Sequence, residues 1–268
     1  MEAIQGVDAL FGNMLSALDA LDLRDTTDLF VMSDYGFVTH EEPINLSHVL
    51  VDAGLKRAQD STDVICIDTQ IYVQEHDAEK IRQIAMFLQQ QVWCGPIFTH
   101  HQPEGNQNLG RVEGTLSMGR IGNEHARAGD ILYAYNWSAK ANRWGIRGMT
   151  SGGSGARHGS ISPFELHSML FAAGPDFKSD LTSRVPSGNI DVVLTTLHLF
   201  GIQPSDQHDG RVLSEALLEG PDPEEVYFRK EHIRAQSGKG TDRFEEVIQI
   251  SHVGDTWYVD KGGVRREM

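Results

Sequence analysis

Val7, Leu10, Phe11, Met14, Leu18 and Leu21 recur at three- and four-residue spacing, which predicts a helix with one apolar face over residues 7–21. Leu29-Phe30-Val31-Met32 follows as an unbroken apolar run after Asp28. Its lack of alternation is the signature of a parallel strand covered on both faces. The run stops at Ser33-Asp34-Tyr35-Gly36. A short helix is expected over residues 46–53, closed by Gly54, then strands over 63–67 and 70–73. Ile81, Ile84, Ala85 and Leu88 mark an amphipathic helix over 77–91, and Gly95-Pro96-Ile97-Phe98-Thr99 a further strand. Strand, helix and strand in alternation point to an α/β sheet with crossover helices.

Residues 100–130 and 136–162 break this pattern. Both stretches are polar and rich in Gly, and they read as long irregular excursions on either side of a strand at 131–135. Loops of that length are uncommon unless they carry function. Residues 169–173 form another apolar strand, closed by Gly174-Pro175, and Ile190, Val193, Leu194, Leu197 and Phe200 give a helix over 189–200. Beyond Pro223 the pattern turns β-like at 226–228, 247–250 and 257–259, which predicts a small terminal meander.

Charge narrows the functional classes. The 268 residues carry a formal net charge of −15, with 40% apolar residues for a sizeable core. Such a chain repels nucleic-acid backbones and anionic lipid, so neither nucleic acid nor membrane is an expected partner. Handling a phosphate ester would require a local cation, and a bound metal ion supplies one. No stretch reaches the length of a membrane span, and Met1-Glu2-Ala3-Ile4-Gln5 lacks the basic start and apolar run of a secretory leader. Cys66 and Cys94 are too few and too far apart for a disulfide framework or a metal knuckle, and read as buried thiols.

Two residues stand out chemically. Asp34 directly follows a strand, at the edge where open α/β sheets place ligands, although an Asp there also serves to cap a turn. His158 lies in Gly155-Ala156-Arg157-His158-Gly159-Ser160, where glycine allows close approach to a ligand; an exposed loop histidine is the plainer alternative. His100 and His101 read as a solvated pair beside a strand end. His167 reads as a structural group opening a strand, His208 as exposed, and Trp137 and Trp144 as packing residues beside the loop.

Four segments occur in a telling order: Val31-Met32-Ser33-Asp34-Tyr35-Gly36-Phe37, Gly155 through Pro163, Leu166 through Phe177, and Asn189 through the Asp209-Gly210-Arg211 turn. Together, over about residues 5–216, they resemble the nucleotide pyrophosphatase/phosphodiesterase and sulfatase branches of the alkaline phosphatase superfamily. The resemblance implies an α/β three-layer sandwich with a mostly parallel central sheet. Residues 1–220 would form the C-terminal part of that domain, incomplete at its N-terminus, and residues 221–268 a small β-rich extension. It implies a metal-dependent phosphoric-ester hydrolase acting on a small phosphodiester or nucleotide pyrophosphate. Two divalent ions, zinc foremost, would serve it, with Asp34 on one and His158 on the other. Paired cations of that kind clamp phosphoryl oxygens and activate a nucleophile.

The resemblance also departs from the family pattern. The histidine of the family's "SDHG" segment is Tyr35 here, and a phenol with a pKa of about 10 is a poor ligand. The family's nucleophile and its Asp-x-x-x-His pair lie well before that segment, and residues 1–33 contain no histidine. The expectation is a chain that starts inside the domain, with no catalytic nucleophile of its own and impaired activity. A non-catalytic half-domain that binds a ligand or complements a separate N-terminal half is the first alternative. A sulfatase-branch hydrolase is the second.

Overall fold

The computed structural model describes residues 2–152, 156–205, 208–238 and 243–267. The elements are α1 (Glu2–Ala20), β1 (Leu29–Met32), β2 (Val38–His40), α2 (Leu46–Asp52), β3 (Val64–Ile67), β4 (Gln70–Val73), α3 (Ala78–Gln89) and β5 (Cys94–Thr99). They continue with β6 (Leu116–Ser117), β7 (Ile131–Tyr135), β8 (Trp137–Ala141), β9 (Arg147–Thr150), β10 (Ala156–Arg157), α4 (Pro163–Leu166), β11 (Leu170–Ala173) and α5 (Ile190–Leu199). Three longer strands close the chain: β12 (Arg229–Ser237), β13 (Phe244–Val253) and β14 (Thr256–Arg266). Among the described residues no helix is long and apolar enough to cross a membrane. The chain divides into two compact units: residues 1–34, 169–228 and 253–256, and residues 35–168, 229–252 and 257–268.

The α/β class holds, but the sheets are not mostly parallel. They run β1-β11, β10-β2-β9-β8, β3-β4-β7-β5-β6 and β12-β13-β14. Among the described pairings only β2–β9 and β5–β6 are parallel. The reason is visible at Asp68, whose φ of 52° lets the chain reverse directly from β3 into β4. A left-handed Asp in a tight turn makes a hairpin where strand order alone suggested a crossover. The stretch 136–162 is likewise more regular than its composition implies. Gly145, at φ +80°, turns β8 back onto β9.

In the larger unit the five-stranded sheet is the middle layer. Ile97, Tyr133 and Tyr135 point to one side and pack with Ile81, Ile84 and Leu88 of α3. Phe98 and Ala134, their strand neighbours, point to the other side and pack with Ile233, Ile248 and Ile250 of the three-stranded sheet. Period-two alternation thus feeds two cores from one sheet. A carboxylate closes the second core. Glu246 of β13 is fully buried and accepts the backbone N–H of Ile97 on one oxygen and that of Leu116 on the other, both at 2.7 Å. Ile97 sits where β5 slips register against β7, between Cys94 and Ile97, a gap that holds Pro96, and Leu116 opens the two-residue strand β6. Burial pushes the Glu246 acid well above its usual range, against the pull of the two N–H donors and of Arg266.

The smaller unit behaves differently. β1 and β11 pair antiparallel, Leu29 opposite Ala173 and Met32 opposite Leu170. The expectation of a strand covered on both faces fails here. Two strands make no closed layer, and Phe171 stays 63% exposed. α1 forms as its spacing predicts, yet none of its residues is buried, and Val7 and Leu10 are 67% and 69% exposed.

Truncating Glu246 to Ala leaves two buried N–H groups without an acceptor. The expected loss is about 3 kcal/mol or more in a urea titration. Glu245→Ala, on the outward face of the same strand, is expected to cost less than about 1 kcal/mol.

Candidate functional site

Asp34 belongs to the smaller unit and His158 to the larger. Asp34 follows β1 and its carboxylate is exposed. Its backbone is fixed by Asn189, whose side-chain N–H donates to the Asp34 carbonyl at 2.8 Å. The Asp209-Gly210-Arg211 turn of the same unit is a structural lock. Arg211 forms a two-pronged pair with the buried Glu215 at 2.6 and 2.8 Å, and its backbone N–H donates to the buried Asp191 at 2.8 Å. Gly210 passes so close to the Ile190 carbonyl that a β-carbon has no room. His208 is exposed, as read from the sequence.

In the larger unit the chain around Tyr35 is drawn to the segment around His158. Gly36 donates its N–H to the Glu165 carbonyl at 2.8 Å. A β-carbon at Gly36 would lie 2.2 Å from the Phe164 carbonyl, so only glycine fits. β10 then pairs antiparallel with β2, Arg157 opposite Val38. The result places the Tyr35 ring flat on the His158 ring, centroids 3.6 Å apart and planes at 11°. Phe37 meets His158 edge-on at 5.4 Å. Gly155, which opens the quoted histidine segment, lies outside the described residues.

Behind the stack is a small cavity of about 20 Å³, the room of about one water, bordered by His40, Asp68, Arg157, His158, Ser160 and Glu165 among others. Arg157 pairs with Asp68. Glu165 is buried; desolvation raises its acid, while the Ser160 hydroxyl and N–H, His158 and Arg157 act the other way. The Ser160 hydroxyl donates to Glu165 and its oxygen accepts the Ser162 N–H at 3.1 Å, so both its bonding roles are taken. His40 Nδ1 lies 2.5 Å from the Thr150 hydroxyl, while its buried Nε2 has no hydrogen-bond partner among the described residues. Burial first, and the Arg157 charge second, hold the His40 imidazole below its ordinary value of 6.5, partly opposed by the Gly152 backbone.

Neither His40, Asp68 nor Glu165 stood out in the sequence. Only Asp68 and Glu165 carried a signal, a polar residue at a strand end and an acid inside an otherwise apolar cap. His100 and His101 prove not to be a free pair. His100 Nδ1 lies 2.5 Å from Glu124 Oε1, and His101 Nδ1 lies 3.4 Å from the other oxygen. His167 is exposed rather than buried at a strand start, because it caps α4 before the strand begins. Trp137 packs, its indole N–H donating to the Gly262 carbonyl at 2.6 Å, but Trp144 is 63% exposed under Arg143. Burial raises both thiols, at Cys94, which is buried, and at Cys66, which is half-buried.

A metal pair is what the resemblance implies, and the donor set was tested against it. Among the described residues no group of three or more His, Cys, Asp or Glu side chains is arranged to hold a metal ion. The ring beside His158 is a phenol, and it stacks on the imidazole instead of presenting a nitrogen. The described residues therefore do not fit a complete two-metal centre.

The depressed His40 value has a consequence for stability. The unfolded chain takes up a proton near pH 6.5 that the folded chain refuses, so His40 contributes stability above that pH and loses it on acidification toward the folded value. Thermal melting of the native chain is expected to fall between pH 7 and 5 more steeply than that of His40→Gln.

The family model described as type I phosphodiesterase / nucleotide pyrophosphatase matches residues 1–141, more than half of the chain. No curated protein and no solved structure matches it. The matched stretch contains the Asp34-Tyr35-Gly36 turn, and the ordered segments around His158 and Arg211 continue beyond it. With the family match covering the greater part of its length, this chain belongs to the type I phosphodiesterase / nucleotide pyrophosphatase family of the alkaline phosphatase superfamily.

Proposed function

We propose that the chain is a phosphoric-ester hydrolase of weakened metal binding, with residues 1–220 as the C-terminal part of an alkaline-phosphatase-like domain and residues 221–268 as a small β-rich extension. The substrate class is a small phosphodiester or nucleotide pyrophosphate. The family match favours phosphate over the sulfate esters of the sulfatase branch. Asp34 and His158 are the ligands this chain offers to two divalent ions, zinc first among them. Such ions would bring cationic charge to a chain of net charge −15.

The Tyr35–His158 stack carries the reading of weakened binding. A phenol is not among the usual ligands of a zinc ion, which are thiolates, imidazoles and carboxylates, and the Tyr35 ring covers one face of the His158 imidazole. Arg157, half-buried beside His158, is suited to take a phosphoryl oxygen in exchange for Asp68. No residue here is assigned as nucleophile, because the Ser160 hydroxyl is already committed to Glu165.

A specific observation favours the second reading, a module that complements another polypeptide. α1 presents Ile4, Val7, Leu10 and Met14 as one exposed stripe, and β1 and β11 expose Met32 and Phe171. An apolar surface of that kind marks an interaction face or an aggregation hazard.

Tyr35→His is expected to bind zinc at least about tenfold more tightly than the native chain in competition with a chromogenic chelator. Asp34→Ala and His158→Ala are expected to lower it. Equal zinc binding by all four proteins would sink the assignment of both ligands. Turnover of bis(4-nitrophenyl) phosphate by the native chain is expected to stay near background and to rise in Tyr35→His. For the second reading, light scattering after size exclusion is expected to find self-association; a monomer with one sharp melting transition counts against it.

A further inference from the structure

A second, roomier cavity of the bigger unit lies away from His158. It is a groove of about 1150 Å³ between α3 and the open end of the three-stranded sheet, and it shares no lining residue with the small cavity there. Its apolar lining comes from the exposed Met86 of α3 and from the edges of two core side chains, Val112 from the β5–β6 connection and Phe244 at the start of β13. Its polar groups are unusual for so acidic a chain, since four arginines line it: Arg82, Arg111, Arg243 and Arg266.

Two of these charges are met locally and two are not. Arg82 is matched by Glu79 at 2.6 Å, and Arg243 lies 3.4 Å from Glu245. Arg266 is held instead by backbone carbonyls, its Nε donating to Gln89 at 2.7 Å and a terminal nitrogen to Cys94 at 2.6 Å. Those bonds fix the guanidinium without neutralising it, and its central carbon lies over the Phe244 ring, 5.2 Å from the centroid. Glu246 attracts it electrostatically, but the two oxygens of that carboxylate are already occupied by backbone N–H groups, and no ion pair joins the two side chains among the described residues. Arg111 is exposed and, among the described residues, has no ion-pair or hydrogen-bond partner for its side chain. The carboxylates of Glu113 and Glu267 also line the groove and set a limit on how much negative charge it admits.

We propose that this groove binds an organic phosphate with a flat apolar body, the ring lying on Met86, Val112 and Phe244 and the phosphate on Arg111 and Arg266. A phosphate has enough oxygens to meet two separate guanidinium forks at once, whereas a carboxylate saturates one. Apolar lining beside a fixed cation gives the mixed surface of a small-molecule site. The site stands whether or not the metal-dependent reading above holds, because it uses none of the same residues.

The test is titration calorimetry of the full chain with 1-naphthylmethylphosphonate, which hydrolysis cannot consume. Inorganic phosphate and uncharged 1-naphthalenemethanol are the comparison probes. Saturable binding of the phosphonate is expected, at least about tenfold tighter than either comparison probe. Arg111→Glu, a surface change, is expected to weaken it by about tenfold or more, and His158→Ala to leave it unchanged. Absence of saturable binding, binding indifferent to Arg111→Glu, or binding lost in His158→Ala would each overturn the proposal.

Discussion

The larger unit depends on one buried carboxylate. A protein that places a glutamate among Ile233, Ile248 and Ile250 must give it donors, because an unpaired charge in that setting costs far more than the neighbouring packing returns. Glu246 meets that constraint by serving two strands that need an acceptor. β5 loses regular pairing where Pro96 offers no N–H, and β6 is two residues long. The carboxylate completes both, and by doing so fixes the spacing between the middle sheet and the sheet above it. Arg266 stands behind it, anchored to the end of α3 and the start of β5, so three elements are tied by charge as well as by apolar contact.

Much of this architecture was legible in the sequence. The α3 face at Ile81, Ile84, Ala85 and Leu88 came out at its predicted positions and fully buried. The strands at β1, β5, β7 and β11 were legible as apolar runs. What the runs did not reveal was direction. An apolar run without alternation is the same string in a parallel strand and in an antiparallel strand covered on both faces; here β7 is antiparallel to both its neighbours, and β5 is antiparallel to β7 but parallel to β6. The hairpin turns hid in residues that look ordinary, Asp68 above all, since a left-handed φ leaves no periodic trace. Glu246 hid for another reason. Inside an alternating strand it occupies an inward position that composition alone assigns to an apolar residue.

The candidate site was legible in kind and less so in detail. Segment order singled out Asp34, Tyr35 and His158, and the fold brings the last two into contact. It could not show that the contact is face to face, nor that His40 and Glu165 close in behind. Those come from β2 and α4, and only the pairing of β10 with β2 and the bond from Gly36 to Glu165 makes them neighbours. Proximity of this sort is a product of topology, and the spacing along the chain contains no record of it.

The Glu246 bridge also sets an order of events. Its partner Ile97 lies 149 residues earlier, and Arg266 reaches back 177 residues to Gln89. A middle sheet formed during synthesis would therefore keep one face bare until β12, β13 and β14 had been made. Closure across so long a span is slow, and the bare face is sticky while it lasts. For this chain the hazardous interval of folding is the delay before residue 246 arrives, and a chaperone that shields apolar strands would act during that delay.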